Sequence, residues 1–500
     1  MIGQRRLALL VAGAALLAAN RPPVVQTDAG AVRGEAVEAG AAFRGIPFAA
    51  PPVGPMRWRE AQRVRPWQGT RDATRFGRDC PQLPREGGKA HPQGEDCLTL
   101  NVITPNRAAK GLPVLVSIHG GAYAFGSGRY IAEAGLSPLV RAGVILVSPN
   151  YRVGRFGFLA HPALTAEAGR GTGNFWLSDQ LLALDWVKRN IARFGGDPAN
   201  VTILGCSAGG SSVNSLMVAP AARGLFARAS VHSGGGFFNA TRPLAQAERE
   251  GAEFAARAGV AQPGAAGLAA LRRLPVGAVL AADPGAPNFG AIVDGALLPE
   301  PVSQGFAAGR QAHVPLIAGS TSDEASVFGL MGFDAAVLKQ RFGIDLAELR
   351  KVYGADGGTS DAQLLRKVQT DFIFTSAALG MSALAARSTP AWTYHFDYVP
   401  PAQRSGSAGA PHCADMPYLF GLDSAAEAWP GPLLRNYWLN FMRFGDPNGQ
   451  GLPRWEQAIP GGQRVLLIDD VAATASTFRP AAVSFWHHRW AQANGTSILP

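Results

Sequence analysis

Short runs of consecutive apolar residues recur along the chain, and between them lie longer stretches whose apolar positions fall three and four apart. Pro113 to Ile118 (PVLVSI), Gly143 to Ser148 (GVILVS) and Val201 to Leu204 (VTIL) show little polar alternation, the pattern of strands buried on both faces. Val314 to Ala318 and Trp392 to Phe396 predict two more strands. Leu177, Leu181, Leu184, Val187, Ile191 and Phe194 recur at helical spacing, and Gly195-Gly196-Asp197-Pro198 predicts the end of that helix. Asp334 to Gly354 and Asp361 to Ala386 read as further helices, expected as a cap over the carboxyl edge of the sheet, where open α/β sheets bind ligands. Strands alternating with helices predict a large, mainly parallel central sheet flanked by helices. No internal repeat or long linker interrupts residues 21–500, which read as one α/β domain.

The first twenty residues depart from this pattern. Arg5 and Arg6 precede Leu7 to Ala19, an apolar run too short to span about 30 Å of hydrocarbon at about 1.5 Å per residue. A basic start, a short apolar stretch and then Asn20-Arg21-Pro22-Pro23 predict a secretory leader over residues 1–20 and a secreted or periplasmic protein. The paired arginines are also compatible with twin-arginine export. No later segment reads as a membrane span, so no stable membrane insertion is expected.

Composition narrows the function classes. With 47% apolar and 16% charged residues the chain buries a large core, which excludes a disordered protein. The formal charge is +10, but only six of the 46 basic residues are Lys, and no basic block is interleaved with aromatics. The charge therefore reads as an Arg-rich composition, and no nucleic-acid partner is expected. For an exported chain the four cysteines are disulfide candidates. Cys80 and Cys97, 17 residues apart in a Gly/Pro-rich stretch, suit a closed loop.

Two segments carry chemistry on their own. Gly205-Cys206-Ser207-Ala208-Gly209 matches G-x-S-x-G. In a chain with 61 glycines an ordinary turn fits the same five residues, but this one lies between a predicted strand and a helix. There a sharp turn exposes the serine at the top of the sheet, and the helix after it adds its amide dipole to a developing anion. His119-Gly120-Gly121-Ala122, directly after a strand, resembles the loop that supplies oxyanion-hole amides. The expected donors are the N–H groups of Gly121, Ala122 and Ala208. His119 is a rival for the catalytic base, but it precedes the nucleophile and is expected to pack or orient the loop.

From about residue 24 to 490 the chain resembles the type-B carboxylesterase/lipase family, which includes the cholinesterases, in the manner of an exported bacterial member. The matching stretches include Gly45-Ile46-Pro47-Phe48-Ala49 with Pro51-Pro52, Glu95 to Asn101 (EDCLTLN), Asn150-Tyr151-Arg152 and Asp179-Gln180. Phe194 to Pro198 (FGGDP) and Phe444 to Asn448 (FGDPN) continue the series in order. The resemblance implies an α/β-hydrolase fold with helical cap insertions and serine ester hydrolysis without metal or cofactor. It also implies a Cys80–Cys97 disulfide and an Arg57–Glu95 salt bridge. In the family's G-x-x-x-D-E pattern, matched by Gly319 to Glu324, the Glu is the triad acid, so Glu324 is expected in that role and Asp323 is its rival. Ala410 to Asp415 (APHCAD) resembles the stretch that carries the base, which makes His412 the candidate, last in the order Ser, acid, His.

Departures from the family pattern carry expectations of their own. Cys206 stands where Glu is common, and Cys413 follows the candidate base. Such Cys-Ser and His-Cys pairs resemble tannases and feruloyl esterases, which implies a Cys206–Cys413 disulfide tying nucleophile to base; two buried free thiols are the alternative. The Cys80–Cys97 loop has no Trp, which argues against recognition of quaternary ammonium groups. Trp176 replaces a residue usually Gly and is expected to pack, and Gln403 to Pro411 is expected as a mobile loop ahead of His412. The expected function is hydrolysis of uncharged or aromatic small-molecule esters through Ser207, His412 and Glu324. Bulky phenolic, polyester or anionic natural-product esters are the alternative, followed by amidase or peptidase activity and a catalytically silent binding protein.

Overall fold

The computed structural model describes residues 22–495 except 39, 85–89, 106–108, 134–136, 238–240, 284–288, 331–335, 337–338, 341–342, 344 and 423. The expected leader lies outside the described residues. An eleven-stranded sheet organises the chain. β1 (Glu35–Val37), β2 (Gly40–Pro47), β3 (Thr99–Thr104), β4 (Leu112–Ile118), β5 (Ile145–Pro149) and β6 (Gly196–Cys206) come first in sequence. β7 (Arg228–His232), β8 (Leu316–Thr321), β9 (Ala391–Phe396), β10 (Val465–Ile468) and β11 (Ala472–Ala475) follow. Across the sheet the order is β11-β10-β9-β8-β7-β6-β4-β5-β3-β2-β1.

Every pairing from β10 to β5 is parallel, and the outer pairings are antiparallel. The parallel centre is made of the apolar runs, and β5 and β9 are buried at every position. This is an α/β-hydrolase fold. From β4 the chain moves to β5 on one side and returns to β6 on the other, so the order reverses between β4 and β6. A crevice opens at the carboxyl ends of the strands at such a point. Those two ends carry His119-Gly120-Gly121 and Ser207.

α1 (Phe175–Asn190) continues as a 3₁₀ turn to Phe194 and ends at Gly195, whose φ of 94° is left-handed. The expected stop is there, but β6 starts at once at Gly196, several residues before Val201. The carbonyl of Gly195 accepts the N–H of Leu112, so the ladder with β4 begins where the helix ends. Trp176 on α1 is fully buried and stacks on Phe158 with ring centroids 5.3 Å apart.

The expected helix Asp361 to Ala386 divides into α2 (Asp361–Thr370), a π-helical turn (Asp371–Thr375) and α3 (Ser376–Ala385). Ser360 and Gln363 form a capping box at its start. Of the expected helix Asp334 to Gly354, Leu346–Tyr353 is helical, and part of its first half lies outside the described residues. Among the described residues no helix is long and apolar enough to cross a membrane.

Arg152 and Asp179 form a buried ion pair where the loop after β5 meets α1. Arg152 Nε and Nη2 lie 2.8 and 2.6 Å from the carboxylate oxygens, and the Arg152 backbone N–H adds a third bond of 2.9 Å. Both side chains are almost wholly excluded from solvent. Arg152→Met leaves the carboxylate buried without its partner and is expected to cost about 3–5 kcal/mol in denaturant unfolding. A loss under about 1 kcal/mol would show that the pair does not hold this junction.

Candidate active site

Ser207 sits on a strained turn. β6 enters it, a helix from Ala208 to Val218 leaves it, and Ser207 takes φ 60° and ψ −127°, which costs an L residue roughly 1–3 kcal/mol. Its N–H donates to the carbonyl of His232 at 2.9 Å, and its own carbonyl accepts from Ser211 at 2.9 Å to start the helix. The flanking glycines are a steric requirement. A Cβ on Gly205 would stand 2.4 Å from the backbone of Gly209, and one on Gly209 would stand 2.2 Å from the Ile118 carbonyl oxygen. Cys206 and Ala208 are buried, while Ser207 keeps partial exposure at the tip.

Glu324 lies just past β8 and has no solvent exposure. Its Oε1 accepts the N–H of Thr321 at 2.7 Å, and its Oε2 accepts the Nδ1–H of His412. Asp323 turns elsewhere, to Arg366 Nη2 at 2.5 Å. Of the two acids in the segment, Glu324 is therefore the one on the imidazole. The His412 backbone N–H is fixed on Ser326 Oγ at 2.9 Å, and its ring lies 5.0 Å from that of Phe374, which the π-helical turn carries. His412 Nε2 is buried and has no hydrogen-bond partner among the described residues.

Cys206 and Cys413 are joined by a disulfide with their Cα atoms 6.1 Å apart. The residue before Ser207 is thus covalently bound to the residue after His412. Cys80 and Cys97 are also joined, and Arg57 meets Glu95 through paired bonds of 2.6 and 2.5 Å.

The glycine loop after β4 packs directly against the serine. A Cβ on Gly120 would stand 2.7 Å from the Cys206 carbonyl oxygen and 3.3 Å from Ser207 Cβ. Gly121, Ala122 and Tyr123 have φ values of 111°, 53° and 59°, and the Gly121 carbonyl accepts the N–H groups of Ala124 and Phe125. Among the described residues the N–H groups of Gly121 and Ala122 have no acceptor, and that of Ala208 opens a helix, where no intrahelical acceptor exists. The three amides expected as donors are available to a ligand oxygen.

His119 stacks on Tyr151 with ring centroids 4.1 Å apart, and its Nδ1 is 2.9 Å from the Gly120 carbonyl oxygen. It supports the loop. Burial pushes its pKa down to about 4, and burial does the same to His487, while His395 is held well below the usual imidazole range. Such groups stay neutral in the fold but take up protons in the unfolded chain between about pH 6.5 and 4. Their stabilisation is complete above about pH 6.5 and is lost as pH falls toward 4, by about 3 kcal/mol for a shift of this size. Urea unfolding between pH 7 and 4 is expected to show a falling stability with a shallower slope in His487→Gln; equal slopes would remove His487 from the cause.

Sequence reasoning missed a second polar cluster. His232, Asp415, Tyr394 and Ser230 are all buried and hydrogen-bonded to one another directly behind the serine turn. Only Asp415 falls in a motif, closing the Ala410 to Asp415 stretch; His232, Ser230 and Tyr394 come from β7 and β9 and meet it only in the fold. Phe374 was equally hidden, since its approach to His412 depends on a π-helical turn inside an otherwise regular apolar pattern.

Comparison with known proteins places these features in context. A family model described as the carboxylesterase family matches residues 21–486. The chain is 36% identical over 423 residues to fumonisin B1 esterase of Sphingopyxis macrogoltabida, covering 79% of this chain and 74% of that protein. It is 33% identical to phenmedipham hydrolase of Pseudarthrobacter oxydans (90% and 96% covered) and 32% identical to para-nitrobenzyl esterase of Bacillus subtilis (89% and 94% covered). A solved structure of PNB esterase superimposes with a TM-score of 0.80 at 29% identity, covering 94% of this chain and 100% of the other.

Proposed function

The chain belongs to the carboxylesterase family, and from that premise we propose that it hydrolyses carboxylic esters through an acyl-enzyme on Ser207, with His412 as base and Glu324 as acid. The observation that carries this is the state of His412. Its Nδ1 is engaged by a fully buried carboxylate, its Nε2 is buried without a partner among the described residues, and its neighbour is bonded to the neighbour of Ser207. His412 Nε2 takes the hydroxyl proton as Ser207 Oγ attacks the ester carbonyl. Glu324 holds the tautomer that leaves Nε2 free and stabilises the imidazolium. The amides of Gly121, Ala122 and Ala208 receive the oxyanion; losing one such donor costs about 10²–10³ in rate. His412 then protonates the departing alcohol and activates the water that frees Ser207.

The substrate in this reading is an uncharged or aromatic small-molecule ester, supported by the relative named for para-nitrobenzyl esters and by Phe374 beside His412. A larger natural-product ester is the second reading, favoured by the relative named for fumonisin B1. Residues 21–500 act as one catalytic unit, exported by the leader at 1–20 to a secreted or periplasmic location. Two disulfides support an oxidising compartment.

Pre-steady-state hydrolysis of p-nitrophenyl butyrate, run beside the matched anilide, tests the reading. A burst equal to the enzyme concentration with the ester, and far slower turnover of the anilide, is expected. Faster turnover of the anilide would make the chain an amidase, and no turnover of either, with no covalent labelling by a small organophosphonate, would make it a silent binding protein.

A further inference from the structure

The buried cluster behind the serine turn does work that neither the triad nor the oxyanion loop performs. His232 ends β7, and its carbonyl oxygen receives the Ser207 N–H at 2.9 Å, so the backbone of His232 sets the position of the nucleophile. Its side chain reaches the other half of the site. Nδ1 lies 2.5 Å from Asp415 Oδ2, and Asp415 stands three residues after His412, at the start of the short helix Asp415–Phe420. Tyr394 Oη donates to the same carboxylate oxygen at 2.6 Å.

The remaining nitrogen of His232, Nε2, lies 3.0 Å from Ser230 Oγ, which in turn accepts the indole N–H of Trp438 at 2.9 Å. A neutral imidazole satisfies the whole chain: Trp438 donates to Ser230, Ser230 to Nε2, and Nδ1–H to the carboxylate. His232 and Asp415 are both about 99% excluded from solvent, so this bond acts undiluted by water. It reaches the same segment after His412 as the Cys206–Cys413 disulfide, but from the end of β7, which lies beside the end of β6 where Cys206 stands.

We propose that His232 is a positioning residue for the hydrolytic reaction, tying the backbone that holds Ser207 to the loop that holds His412 through its bond to Asp415. The inference rests on the assignment of Ser207 and His412 as nucleophile and base. With two ties across the same gap, one covalent and one hydrogen-bonded, neither alone carries the whole alignment. A displacement of about 1 Å between reacting groups costs up to about 10² in rate, and the cost should fall on the chemical step rather than on substrate binding.

His232→Leu, His232→Gln and Tyr394→Phe test this, with kcat, KM and the rate of Ser207 labelling by a small organophosphonate as readouts. His232→Leu is expected to lower kcat and the labelling rate together by about 10- to 100-fold with KM within about threefold, and His232→Gln, which retains an N–H donor, to restore most of both. Tyr394→Phe leaves His232 on Asp415 and is expected to cost about threefold or less, which keeps the test open should His232→Leu fail to fold. In a Cys206→Ser/Cys413→Ser background, His232→Gln and Tyr394→Phe should each cost more than in the wild type, because the covalent tie is gone. Wild-type kcat and labelling in folded His232→Leu, or equal costs in both backgrounds, would overturn the inference. Absence of Ser207 labelling in the wild type would instead overturn the assignment on which it rests.

Discussion

Ser207→Ala is expected to lower kcat/KM for a p-nitrophenyl ester by about 10⁴–10⁶-fold without loss of the fold. The mutation removes one oxygen at a turn whose strain comes from the backbone, at φ 60°, so unfolding by heat should be little changed. His412→Ala should cost nearly as much, and the double variant hardly more, because residues that act as a unit are not additive. Glu324→Gln is the sharper test of geometry. It replaces the carboxylate on His412 Nδ1 with an amide that accepts the same bond or imposes the opposite tautomer, and a loss of about 10⁴ is expected. Asp323→Asn should leave turnover within a few fold, since Asp323 pairs with Arg366 and not with the imidazole. Steady-state kinetics of the five variants separates these outcomes; a larger loss from Asp323→Asn than from Glu324→Gln would reverse the assignment.

Reduction of Cys206–Cys413 has the next largest expected effect, and it acts on activity and stability at once. The bond closes a loop of 207 residues, which in the chain-entropy model stabilises the fold by about 5 kcal/mol, against about 3 kcal/mol for the 17-residue Cys80–Cys97 loop. Only the longer loop has ends adjacent to Ser207 and His412. Cys206→Ser/Cys413→Ser should therefore lose about 10- to 100-fold in kcat even where it is fully folded, while Cys80→Ser/Cys97→Ser should lose stability and keep kcat. Circular dichroism and turnover measured together in dithiothreitol give the same separation. Unchanged turnover in a sample whose Cys206 and Cys413 are shown by mass to be free thiols would mean that the bond does not align the site.

Much of the frame was legible because its signals are local. Each of the five apolar runs is a strand of the parallel centre, and the Leu177 to Phe194 spacing is a helix in the fold. G-x-S-x-G and the glycine loop after β4 were readable because both need residues without a side chain: a Cβ at Gly205, Gly209 or Gly120 would meet backbone within 2.7 Å. The Cys206–Cys413 pairing was legible only through its resemblance to other esterases, since nothing local joins residues 207 apart.

What sequence could not supply are properties of packing across elements. The early start of β6 at Gly196 depends on the Leu112 to Gly195 bond with a strand about eighty residues upstream. The π-helical turn at Asp371–Thr375 interrupts a pattern that reads as one helix; there Asp371, fully buried, faces Arg479 at 2.8 Å, and Phe374 faces His412. Glu324 was expected as the acid only through the family pattern, and the reach of its carboxylate to the imidazole is visible in the fold alone; His232 gave no signal at all outside the fold.

The most direct test is peptide mapping by mass spectrometry after reaction with a small fluorophosphonate, following loss of esterase activity in parallel. One adduct per chain on Ser207, formed in step with inactivation, absent in Ser207→Ala and greatly slowed in His412→Ala, is the predicted result. Full inactivation with the adduct on another residue, or an active enzyme that never labels at Ser207, would contradict the assignment of Ser207 as the nucleophile.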